Sequence, residues 1–156
     1  KYKILIYHYY IYLYFMYLIM YNQKIIEIFK NPMNVGGFHG ANGVGKVVEE
    51  ATNNISKMYL KITEDALIEE ARFKAMGNVI TIVSSSVATQ LITNKKVKEA
   101  ELLSANDILE VLGEVDADKL VFVELAVNAV KDAINEYKKV VLKGKYQPVI
   151  REYIIC

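Results

Sequence analysis

Ile55-Ser56-Lys57-Met58-Tyr59-Leu60-Lys61-Ile62 alternates without a fault. Ser56, Met58, Leu60 and Ile62 fall on one side, and Lys57, Tyr59 and Lys61 on the other. A period of two is what a strand needs when one face is buried and the other wet. Thr63-Glu64-Asp65-Ala66 reads as a turn, after which Leu67, Ala71, Phe73 and Ala75 mark an opposing strand. Upstream, Val44–Glu50 supplies a shorter third strand. The strands expected are therefore 44–50, 55–62 and 67–75, in a sheet with one solvated face.

From Gly77 onward the period changes. Val79, Ile80, Val83, Val87, Leu91 and Ile92 follow helical spacing up to the loop Thr93-Asn94-Lys95-Lys96. Ser104-Ala105-Asn106-Asp107 has the form of a capping box, opening a short helix that ends near Gly113. Asp116 or Asp118 is placed to cap a last long helix reaching about Val140, with Phe122, Ala126, Ala129, Val130, Ala133, Ile134 and Tyr137 as its apolar stripe. Near the start, Asn22–Lys30 forms a short amphipathic helix carrying Ile25, Ile26 and Phe29. Asn31-Pro32 ends it, because the residue before a proline is pushed out of the α region. Strands followed by helices define an α+β fold: a small three-stranded, mainly antiparallel sheet with helices packed on one face.

Gly40-Ala41-Asn42-Gly43-Val44-Gly45-Lys46 reads G-x-x-x-x-G-K, one residue short of a phosphate-binding loop. Such a loop needs Ser or Thr next, to place a hydroxyl on Mg²⁺, and this chain has Val47. It must also leave a buried strand and open a helix, so that backbone N–H groups meet the phosphates. The preceding Asn31–Gly37 is turn-rich, and the residues after Lys46 lack a helical period. No nucleotide site is expected.

Composition narrows the function classes. The chain has 156 residues, 53% hydrophobic and 24% charged, which suffices for one domain with a real core. A net charge of +1 with no basic block gives no nucleic-acid surface. The one cysteine is Cys156, and the two histidines are His8 and His39. Three scattered residues cannot close a four-ligand Cys/His zinc site, so neither metal nor cofactor is expected. His39 reads as a solvated loop residue, Ser84-Ser85-Ser86 as small residues permitting close helix packing, and Cys156 as an idle thiol.

Residues 1–19 stand apart. The first twenty residues hold seven of the twelve tyrosines and no Gly, Ala, Pro, Arg, Ser, Thr, Asp or Glu. Every residue type in them has A/T-rich codons, as translation of AT-rich sequence upstream of a start at Met20 would give. The other reading is a membrane anchor: Ile4–Met20 is 17 residues long, at the lower limit for a span, with Lys1 and Lys3 before it. The domain is set at 20–140, with 141–156 as a C-terminal extension.

Four blocks together resemble one family. Tyr21–Gly36 is similar to the opening helix and Asn-Pro-x-Asn-Val-Gly turn of the NifU/IscU-type iron–sulphur cluster scaffolds. Gly43–Val47 resembles their Gly-Val-Gly strand. Ile68–Gly77, followed by Ser84–Ile92, resembles their central strand and serine-rich helix. Ala126–Lys139 resembles their C-terminal helix. The likeness runs in register from about Tyr21 to Lys139, and the chain is identified as a degenerate member of that family.

The resemblance implies a ligand pocket whose residues are changed here. The family's Ala-Cys-Gly-Asp loop is matched by Ala51-Thr52-Asn53-Asn54, its second cysteine by Asn78, and its His-Cys pair by Val121-Phe122. Its Leu-Pro-Pro-Val-Lys chaperone motif is matched by Val115–Lys119, with Lys119 alone retained. Thiolates give iron–sulphur clusters and Zn²⁺ their affinity, and Thr, Asn and Phe do not replace them. The implied function is an interaction or regulatory module of cluster assembly: non-enzymatic, cytoplasmic, and partnered by a cysteine desulfurase or a cluster-carrying scaffold. A membrane enters only if residues 1–19 are native. The alternatives are a small-molecule-binding derivative using Thr52, Asn54, Asn78 and Lys119, and an inactive paralogue. Phe122 is expected to fill the space that a cluster would take.

Overall fold

The computed structural model describes residues 2–145, the side chains at 2, 17, 18 and 145 excepted. In chain order the elements are α1 (Tyr2–Met20), α2 (Gln23–Lys30), β1 (Gly43–Glu49), β2 (Asn54–Ile62), β3 (Ile68–Met76), α3 (Val79–Ile92), α4 (Val97–Ala100), α5 (Ala105–Leu112), a 3₁₀ turn (Ala117–Lys119) and α6 (Leu120–Lys145). The sheet order is β1-β2-β3, antiparallel throughout. Ser56, Met58, Leu60 and Ile62 point inward with 4% exposure or less, as the alternation requires.

One phase differs from the sequence reading. A bulge between Lys61 and Ile62 shifts the register with β3, so Ile62 pairs with Ile68. The extra residue turns Ile68 inward, at 0% exposure, where simple alternation would have placed Leu67. Leu67 instead bridges to Lys96, just ahead of α4, a single turn too short for any periodic signal.

The outer edge of β3 is covered. Asn34–Gly36 runs alongside it in a parallel bridge, with Gly36 N donating to Phe73 O at 2.7 Å and Phe73 N to Asn34 O at 2.9 Å. At Phe73 both backbone groups of the edge are thereby satisfied, which shields the middle of this edge.

Helices α3 and α6 fill the inner side of the sheet. Beneath β1, Gly43 and Gly45 leave no room for a side chain. A Cβ on Gly45 would lie 2.2 Å from Ala133 N, and one on Gly43 would lie 2.8 Å from Ala133 O. These glycines therefore serve a strand lying directly on helix α6. The near-phosphate-loop ends inside β1 and opens no helix, which disposes of the nucleotide reading. Helix α6 also continues to Lys145, past the expected end near Val140.

The core joins the inward sheet residues to α3, α5 and α6 through Phe73, Ile80, Val83, Ile108, Val130 and Ile134. Asn22 caps α2 by accepting from Ile25 N, and Ser104 with Asp107 forms the expected capping box on α5. Asp116 precedes the 3₁₀ turn without a side-chain cap bond. The described side chains of α1 are exposed. Among the described residues no helix is long and apolar enough to cross a membrane. The segment 146–156, with Cys156, lies outside the described residues.

Candidate functional site

Topology brings the singled-out positions to one end of the molecule. Ile55 pairs with Met76, so the turn before β2 lies beside the turn after β3. Gly43 faces Ala133 and Tyr137, whereas Gly45 faces Ala129 and Ala133. β1 therefore runs antiparallel to α6, and its end at Glu49 approaches the helix start at Leu120. Residues 51–54, 77–78 and 119–122 share this end.

Asn54 is the hub. Its side chain is buried, at 4% exposure. The carboxamide oxygen accepts from Asn78 N at 2.6 Å and from Thr81 Oγ1 at 2.7 Å, while its NH₂ donates to Thr52 Oγ1 at 2.7 Å. Asn78 in turn is the N-cap of α3, its Oδ1 accepting from Ile80 N at 2.8 Å. Asn is a favoured residue for that role, since it satisfies an orphan N–H of the first turn. Gly77 fits between them: its φ is +123°, and a Cβ there would stand 2.2 Å from Asn54 Oδ1.

On the solvent side the chain turns through Asn53, whose φ of 56° is left-handed. Asn tolerates that region better than other non-glycine residues. Thr52 Oγ1 donates to Glu49 Oε2, and Thr52 N donates to the same oxygen at 2.9 Å. Those bonds, led by the Thr52 hydroxyl, hold the Glu49 carboxyl below its ordinary value. Glu49 and Thr81 were not singled out from sequence. Their only signal is position, three residues before Thr52 and three after Asn78.

The α6 side is apolar. Phe122 is 8% exposed and joins the main core, while Val121 is 45% exposed. Lys119 is engaged elsewhere: its Nζ lies 2.7 Å from Asp116 Oδ2 and 5.1 Å from the centre of the Tyr21 ring. The hydrogen bond to Asp116 raises its pKa. Ser84-Ser85-Ser86 are all buried on α3. Ser85 Oγ shares a 2.8 Å bond with Ser56, and Ser86 Oγ meets both N and O of Met33. Their work is packing and tethering; His39 is exposed in the glycine-rich loop.

No group of three or more His, Cys, Asp or Glu side chains is arranged among the described residues to hold a metal ion. In chemical terms, this end of the molecule holds an amide–hydroxyl network centred on Asn54, with the ring of Phe122 buried at the same end.

The fold and this turn cluster define a class: a small α+β module whose cluster of three loops sits at one end of a three-stranded sheet. Comparison with known proteins places it further. The family described as "NifU-like N terminal domain" matches residues 20–143, and the chain belongs to that family. It is 36% identical over 121 residues to the iron-sulfur cluster assembly scaffold protein IscU of Escherichia coli K12, covering 76% of this chain and 94% of that protein. It is 33% identical over 118 residues to scaffold protein IscU 1 of Archaeoglobus fulgidus, covering 76% of each chain. Among solved structures, an N-terminal NifU-like protein from Brucella abortus aligns with TM-score 0.64 at 17% identity, over 77% of this chain and 95% of that one. A putative SUF-system assembly scaffold from Fervidobacterium islandicum aligns with TM-score 0.63 at 17% identity, over 74% and 97%. These two likenesses bear on the fold, and agree with it.

Proposed function

We propose that this chain is a cluster-free member of its family. It keeps the scaffold fold but has lost the ligand cysteines, and serves iron–sulphur cluster assembly by docking rather than by carrying the cluster. The partner in this reading is a cysteine desulfurase or a cluster-carrying scaffold, and no catalysed reaction is assigned. The observation that carries it is the Asn54 network. Where the family resemblance calls for thiolates and a carboxylate, the Asn54 side chain is spent on Thr52, Thr81 and the backbone N–H of Asn78. The Thr52 hydroxyl is spent on Glu49, and the Asn78 Oδ1 on capping Ile80 N. Neutral amides and hydroxyls are poor ligands for iron or zinc, and those already bonded must also surrender partners to bind. The commitments of Thr52 to Glu49, of Asn54 to Thr81 and of Lys119 to Asp116 weigh against the small-molecule alternative.

The test has two arms. Anaerobic reconstitution with iron and sulphide, followed by gel filtration, should leave no cluster absorbance on the protein. Affinity capture with purified desulfurase and with a three-cysteine scaffold should retain it. A cluster that survives filtration overturns the cluster-free half. Failure of both captures overturns the docking half and favours an inactive paralogue.

A further inference from the structure

On the face of the sheet turned away from the helices, the Gly37–His39 loop lies against Tyr59 and Arg72, and the outward side chains fall into rows set by the register. Lys46 pairs with Lys57, and Lys57 with Lys74, so three ammonium groups stand side by side across three strands. Strands lie about 4.8 Å apart, so this row spans roughly 10 Å. Like charges directly opposite one another destabilise a sheet.

The neighbouring rows avoid that cost. Lys61 Nζ meets Glu69 at 2.9 Å, and Arg72 meets Glu70 at 2.7 Å. Among the described residues none of the ammonium groups of Lys46, Lys57 and Lys74 forms an ion pair with a carboxylate; Lys46 meets Asp132 only through its backbone N–H. Lys57 and Lys74 are held instead over the Tyr59 ring, at 5.0 and 5.8 Å from its centre. The ring positions them without neutralising them.

On the side toward the loop cluster, the next row is apolar. Val48 pairs with Ile55 and Ile55 with Met76, and Val48 and Met76 are 40% and 60% exposed. A cationic row beside an exposed apolar row has the anatomy of a protein interface, with an apolar centre and a charged flank. Nucleic acid fits it less well. The charged row is only three residues long, the chain's net charge is +1, and a phosphate backbone would find nothing at the apolar row.

We infer that the outer sheet face, through Lys46, Lys57 and Lys74 together with Val48, Ile55 and Met76, is a docking surface for an acidic segment of a partner protein. Its carboxylates would pair with the lysine row and its apolar side chains would cover the adjacent row. This assignment stands apart from the docking proposed above, since it fixes the chemistry of the partner and not its place in cluster assembly.

The test uses the full chain, isotope-labelled and titrated at low salt with a synthetic peptide that carries Asp and Glu beside a run of leucines. Amide shifts should concentrate on the outward residues of β1, β2 and β3. The K46Q/K57Q/K74Q variant should bind about tenfold more weakly, as expected from losing three exposed ion pairs. Met76→Gln should weaken the peptide while leaving binding of poly-glutamate unchanged. The inference is overturned by shifts elsewhere, by no binding, or by a triple variant that binds as well as the parent. It is also overturned if duplex DNA or anionic lipid vesicles bind as tightly as the peptide, or if poly-glutamate does. The probe is not a protein of the assembly machinery, so its failure and that of the desulfurase capture are separate results.

Discussion

Two residues at the loop cluster stabilise it by different physics, and their removal should read differently. Asn54→Ala strips the acceptor from Asn78 N and from the buried Thr81 hydroxyl. Leaving buried polar groups unpaired costs about 1–3 kcal/mol each, so a loss of roughly 2–4 kcal/mol is expected in denaturant melts. Phe122→Ala removes a ring that is 8% exposed and should cost about 3–5 kcal/mol if the surroundings do not collapse. A loss below about 1 kcal/mol would mark the ring as a surface group over an open pocket. Glu49 adds a pH signature. Its folded pKa lies below the ordinary 4.5, chiefly through the Thr52 hydroxyl. The carboxylate's contribution is therefore complete above about pH 4.5 and fades as pH falls through the lowered value. A carboxyl-detected titration should place the Glu49 midpoint below 4.5, and Thr52→Val should return it toward that value.

At the scale of elements, the tightest constraint is β1 on α6. Gly45→Ala puts a methyl 2.2 Å from Ala133 N and 2.6 Å from Ala129 O, both backbone atoms of a packed helix. Neither can rotate aside, so strand and helix must part. Overpacking of this kind typically costs about 1–3 kcal/mol and here should reach the upper end or beyond, measured as a fall in melting midpoint with far-UV signal retained. This reason for Gly43 and Gly45 was not legible in the sequence. The contact joins residues nearly ninety positions apart, as the 2.8 Å bond from Lys46 N to Asp132 also does. What was legible is whatever local periodicity fixes. The alternation of 55–62 placed Met58 and Leu60 inside, and the spacing after Gly77 placed Ile80 and Val83. The inward residue of β3 at its start was misplaced because a bulge resets the phase, and a bulge leaves no periodic trace. The loop cluster was half legible. The resemblance set Asn54 and Asn78 apart, but the capping role of Asn78 and its link to Asn54 emerge only where two turns meet across the sheet.

At the scale of the whole molecule, the question is where the cooperative unit begins. The family match starts at residue 20, and the capped helix α2 follows at Gln23 with Ile25 and Ile26 fully in the core. Helix α1 contributes no described side chain to that core: Leu5, Tyr7, Tyr10 and Phe15 are each more than half exposed. Buried apolar area sets both stability and the steepness of a denaturant transition. Removing residues 1–19 should therefore leave the urea midpoint and slope of the remaining chain unchanged within error, that is, within about 0.5 kcal/mol. It should change how the protein associates. A helix with large apolar side chains exposed all round offers a patch that monomeric proteins rarely carry, so the longer chain should self-associate with concentration where the truncated one does not. The two are compared by sedimentation at matched concentrations, with melts taken at the lowest concentration that gives signal, so that association does not mask stability. A shallower slope, or a loss beyond about 1 kcal/mol, would place α1 inside the folding unit and move the domain boundary to its start.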